Sequence, residues 1–143
     1  MRITLVLILA VPGWSDSVFG RWRVRANGSP DGYSGIVLIR IEPHPKGEVF
    51  TVDRVDRDGR VTTDSTILYL DGRSRHYQGA VCSGTQSSRR LDNRTVEIMR
   101  NCDTGAWTKF LRRSSVPAQM AFEITGRHAD GRKFECRLVL QKQ

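Results

Sequence analysis

Asp-Gly pairs punctuate this chain between short runs of β-forming residues, and no other feature narrows its fold as far. The pair occurs at residues 31–32, 58–59, 71–72 and 130–131. It supplies the positive φ values that tight two-residue hairpin connections require. Asp92-Asn93 and Asp103-Thr104-Gly105 add two further turn sites. Between the turns lie Ile36 to Ile41, then Val49 to Val55 after the break at Pro43, Pro45 and Gly47, then Val61 to Leu70. No window holds an apolar period of 3.6 residues long enough for an amphipathic helix.

Later segments alternate cleanly, and successive side chains on a strand point to opposite faces. Val96 and Ile98 share one face, as do Met120, Phe122 and Ile124, and Phe134, Cys136, Leu138 and Leu140. Short connections make sequential strands neighbours. A sheet of about eight to ten strands closes or folds on itself to hide its edges. The expectation is an all-β fold, an antiparallel up-and-down β-barrel, over residues 18–143.

Residues 1–17 stand apart. Arg2 precedes the run Ile3 to Val11, which is interrupted only by Thr4 and breaks at Pro12 and Gly13. This pattern predicts a secretory signal peptide. The run is far short of the roughly 20 apolar residues that a spanning helix needs, so no transmembrane anchor is expected. A secreted or periplasmic protein follows.

The chain carries 23 Lys and Arg against 15 Asp and Glu, a formal charge of +8. Removing residues 1–17 takes away Arg2 and Asp16 and leaves that charge unchanged. The arginines are scattered rather than gathered in a basic tail, so no specific nucleic-acid recognition is expected. A basic surface still suits an anionic polymer or a membrane surface, through Arg21, Arg23, Arg25, Arg73, Arg75, Arg89, Arg90, Arg112 and Arg113.

The segment Phe19-Gly20-Arg21-Trp22 resembles the G-x-W signature that opens lipocalin-like barrels. Tyr69-Leu70-Asp71-Gly72 leading to Tyr77 and Gly79, Arg90 to Glu97, and Gly126 with Ala129 to Arg132 resemble small exported bacterial lipocalin-like proteins of unassigned function. Ser114 to Ala118 departs from that pattern by lacking an Asp-Gly-Lys turn, and no Pro follows Tyr77. The resemblance implies that Trp22 plugs one barrel end against a basic residue of the last strand, for which Arg137 is the candidate. The alternative is an ordinary core Trp22 with Arg137 facing water.

Trp22, Val24, Phe50, Val52, Val96, Ile98, Met120, Phe122, Phe134 and Leu138 lie on the apolar parity of their strands. They either line a ligand cavity or fill a narrow barrel with their own packing. Arg54 continues the set of Phe50 and Val52, and Arg100 that of Val96 and Ile98. An inward arginine can hold a ligand carboxylate through a bidentate contact, as in fatty-acid-binding barrels. The alternative is a strand-end arginine whose head reaches water.

Of three cysteines, Cys82 and Cys102 form the expected disulfide. A turn at Asp92 to Arg94 that sets Leu91 opposite Thr95 also sets Gly84 opposite Cys102, with Cys82 two residues further on. Cys136 is expected as a buried thiol.

His44, His76 and His128 show no metal-ligand spacing, and no Gly-x-Ser-x-Gly or phosphate-cradling loop is present. No enzyme and no cofactor is expected. The reading is a monomeric exported barrel whose partner is a hydrophobic or amphipathic small molecule. A filled barrel with a structural role in the envelope is the further alternative.

Overall fold

β-branched and aliphatic residues on alternate positions favour extended backbone, because each strand can then bury one face and wet the other. The protein is described from a computed structural model, which covers residues 18–27, 35–115 and 118–143. The expected signal peptide and the Asp31-Gly32 turn lie outside these residues. The described residues contain no helix.

Ten strands follow in order: β1 (Gly20–Asn27), β2 (Ile36–His44), β3 (Gly47–Val55), β4 (Val61–Leu68), β5 (Arg75–Gln78), β6 (Ser83–Asp92), β7 (Thr95–Cys102), β8 (Trp107–Ser115), β9 (Gln119–Arg127) and β10 (Lys133–Lys142). They form one sheet in the order β4-β3-β2-β1-β10-β9-β8-β7-β6-β5, with every described pairing antiparallel. The sheet curls into the expected lipocalin-like barrel.

The turns act largely as their residues require. Gly59, Gly105 and Gly131 take φ of 80°, 90° and 91° at the tips of β3–β4, β7–β8 and β9–β10. The β6–β7 hairpin absorbs a bulge at Leu91 and still sets Gly84 opposite Cys102. At Gly84 a Cβ would collide with the Asn101 carbonyl, so glycine allows the close approach.

Two expectations fail at one place. The segment read as Val61 to Leu70 stops at Leu68, and Asp71-Gly72 joins two strands that do not pair. Leu70 takes φ of 58°, a conformation costing a bulky residue on the order of 1–3 kcal/mol. Several contacts hold the chain there. The Leu70 amide donates to Ser88 Oγ (2.9 Å) and the Gly72 amide to the Ser88 carbonyl (2.7 Å). Asp71 accepts from both terminal nitrogens of Arg75 (2.8 and 2.6 Å) and from the Arg73 amide (3.0 Å). The Arg75 guanidinium, seconded by that amide, keeps the Asp71 carboxyl well below the usual carboxylate range. These bonds fold residues 69–74 back onto β6, so β4 and β5 never zip.

The resulting seam is bridged by side chains instead. Gln86 Nε2 donates to Thr66 Oγ1 (3.1 Å), and the Ala80 amide donates to Asp64 (2.8 Å). Inside, Ile39, Ile41, Phe50, Phe122, Ile124, Leu138 and Leu140 are buried together, with the Phe50 and Phe122 rings 6.0 Å apart. Each such side chain stabilises the fold by about 1.5–3 kcal/mol.

Candidate functional site

The inner face is unevenly made. The stretch from β9 through β10 and β1 to β2 points apolar groups inward, whereas β3 to β8 interleave polar ones. Strand β3 turns Glu48, Phe50, Val52 and Arg54 inward in succession, and β8 does so with Phe110 and Arg112. At the end of the barrel holding the start of β1, Arg112 donates to both Glu48 oxygens (2.7 and 3.0 Å), and both side chains are buried. Arg90 approaches the same carboxylate at 3.8 Å. Charge therefore plugs one end of the barrel, beneath Trp22, Leu68, Val96, Met120 and Leu140.

The opposite end is the mouth, ringed by the turns after β3, β5, β7 and β9. It holds a cavity of about 140 Å³ lined by Arg54, Asp64, Tyr77, Arg100, Phe110 and Phe134, with Cys82, Cys102 and His128 at its rim. Arg54 pairs with Asp64 at 3.2 Å. Arg100 is only 6% exposed. Its Nε donates to Gln86 Oε1 (2.8 Å), and its guanidinium lies 4.6 Å from the Tyr77 ring centre and 5.0 Å from that of Phe110. Arg100 thus sits among aromatic faces with the Arg54–Asp64 pair in the same wall, an arrangement that attracts both a negative charge and a flat apolar group. The reading of Arg100 as a strand-end arginine reaching water is corrected: aromatic rings enclose its head.

The apolar residues named from the sequence divide between two places. Trp22, Phe50, Val52, Val96, Ile98, Met120, Phe122 and Leu138 are buried in the packed interior, and Val24 is half-buried against it. Of the named set, only Arg54, Arg100 and Phe134 line the mouth cavity. Asp64, Tyr77, Gln86 and Phe110 were missed. Parity with Arg112 would have found Phe110; the other three face across a seam that no strand pattern announces.

Arg137 is exposed and is not the partner of Trp22. Even-numbered residues of β10 point inward, so Lys142 takes that place, opposite Trp22 in register and 5.7 Å from its ring centre. The Trp22 Nε1 donates to the Val18 carbonyl (2.8 Å). Cys82 and Cys102 are bonded, with Cα atoms 5.5 Å apart, and Cys136 is buried elsewhere. His44 accepts from the Lys46 amide (3.0 Å), His128 lies against the Phe134 ring, and His76 is exposed.

Of the expected basic surface, Arg112 alone is corrected. Arg112 is buried, while Arg75, Arg89 and Arg113 contact Asp71, Glu97 and Glu123. Arg21, Arg23 and Arg25 form an exposed row on β1, and Arg73 and Arg90 are exposed as well.

No family model matches the chain, and no curated protein matches it. Among solved structures it is similar to two mutants of the fluorescent protein UnaG. The first has a TM-score of 0.61 at 12% identity, over 88% of this chain and 96% of that one. The second has a TM-score of 0.58 at 12% identity, over 87% and 95%. It is also similar to the zebrafish ileal bile acid-binding protein complexed with cholic acid, with a TM-score of 0.55 at 12% identity over 87% and 98%. The likeness is one of fold alone, that of an antiparallel lipocalin-like barrel.

Proposed function

We propose that this chain is an exported, non-enzymatic binding barrel that holds a compact amphipathic anion at its mouth. The observation that carries the reading is the mouth cavity itself, where Arg54 and Arg100 stand beside Tyr77, Phe110 and Phe134 above a packed interior. Its size narrows the ligand. A cavity near 150 Å³ accommodates benzene, whereas drug-sized ligands occupy roughly 300–1,000 Å³. At about 140 Å³ the mouth suits a small aromatic or short-chain carboxylate rather than a long acyl chain. Asp64, the carboxylate in the cavity wall, is engaged by Arg54 and by the Ala80 amide. Export rests on the pattern of residues 1–17, and the Cys82–Cys102 disulfide is compatible with an oxidising compartment.

Titration calorimetry with benzoate, hexanoate and palmitate tests the reading. Benzoate and hexanoate bind, and palmitate does not. Charge-assisted hydrogen bonds contribute about 1.5–3 kcal/mol each. Arg54→Met together with Arg100→Met therefore weakens benzoate by at least tenfold. Equal binding to the double variant removes the proposed role of both arginines.

A further inference from the structure

The seam between β4 and β5 encloses a second cleft of about 190 Å³, walled by Tyr69, Arg73, Arg75, His76, Gln86 and Ser87. We infer that this cleft binds a small tetrahedral oxyanion, inorganic phosphate or the head of a phosphate monoester. The volume fits such a group with a few further atoms and no more.

The chemistry of the wall argues for an anion with acceptors in several directions. Arg75 is spoken for: its fork grips Asp71, and its guanidinium lies 3.8 Å from the centre of the Tyr69 ring. A planar carboxylate is therefore already supplied by the chain itself. Arg73, His76, Tyr69 and Ser87 come from the β4–β5 connection, β5 and β6, and all four line the cleft. A guanidinium, an imidazole and two hydroxyls together suit a tetrahedral group better than a flat one. Asp71 offsets only one of the two arginine charges.

The wall is also built in advance. Leu70 is held at positive φ by its bond to Ser88, and Gly72 and Asp71 tie the same loop to β6. Binding then needs little reordering of the loop. The cleft is separate from the mouth: Gln86 stands between them, donating to Thr66 on the cleft side and accepting from Arg100 on the other.

The test is an amide NMR titration of the protein with inorganic phosphate, phenyl phosphate and acetate at constant ionic strength. Saturable shifts are expected at Arg75, His76 and Ser87 with either phosphate compound, and the tighter of the two names the source of the group. Arg73→Ala with His76→Ala raises the apparent Kd at least tenfold. Both residues are exposed, so the fold survives their loss. Arg73→Ala with His76→Ala leaves benzoate binding at the mouth unchanged, which separates this cleft from the mouth. Absence of saturable shifts overturns the inference. So does an equal loss in Arg21→Gln, Arg23→Gln, Arg25→Gln, which would reveal only general attraction to a basic protein. Acetate shifting the same amides as strongly as phosphate overturns the tetrahedral preference.

Discussion

Glu48 and Arg112 meet where neither side chain reaches water, and each is the other's bidentate partner. Their side chains are 3% and 1% exposed, and two hydrogen bonds join them. Truncating one partner strands a buried charge and costs about 3–5 kcal/mol, whereas replacing both by apolar groups is often neutral or stabilising. Glu48→Leu is expected to lower the urea midpoint steeply, because Arg112 then has no carboxylate. Arg112→Met costs less, since Arg90 already stands 3.8 Å from Glu48. The double variant recovers most of the loss. A double variant as unstable as Glu48→Leu alone would show that the pair is not the source of the cost. Trp22, Phe50 and Phe122 were legible as interior residues because parity within one strand places them. The Glu48–Arg112 contact spans 64 residues of sequence, and a strand-local pattern carries no information about it.

At the scale of elements, the turn joining β5 to β6 is fastened from three sides. Asp64 holds the Ala80 amide from across the seam, the Gly79 amide donates to the Cys82 carbonyl (2.8 Å), and Cys82 is bonded to Cys102. Chain entropy for a closed loop of this length gives the disulfide about 3 kcal/mol. Cys82→Ser with Cys102→Ser should lose that much in urea unfolding and speed amide exchange at residues 79–82, with β9 and β10 little changed in the native state. The pairing was readable because the β6–β7 register sets Gly84 opposite Cys102, although a bulge at Leu91 puts Asp92 rather than Leu91 opposite Thr95. Asp71-Gly72 misled for a complementary reason. A dipeptide announces that the chain can turn, but not where the next strand goes, and here the Asp71–Arg75 and Leu70–Ser88 contacts decide that.

For the molecule as a whole, β1 lies between β2 and β10, while the unpaired edges β4 and β5 face each other across the seam. Local opening should start where backbone hydrogen bonds lack a partner strand on one side. Native-state hydrogen exchange is expected to be fastest in β5 and β4 and slowest in β9 and β10, and uniform protection around the ring would contradict this. The all-β class, the hairpin order and the inward parity were all legible, because each follows from residues close in sequence. The seam and the split between a filled interior and a small mouth were not, since they depend on which distant strands meet and on how side chains from opposite walls fill the space.

A hoop laced at every rung has a fixed girth. This one is unlaced between β4 and β5: among the described residues Gln86 to Thr66 and Asp64 to Ala80 bridge the gap toward the mouth, and the Leu70 and Gly72 amides tie its other end to Ser88. Parting the two bridges near the mouth lets the circumference grow there without sacrificing any rung of the ladder, so under the proposed function a guest slightly too wide for the resting mouth would cost two hydrogen bonds rather than the sheet.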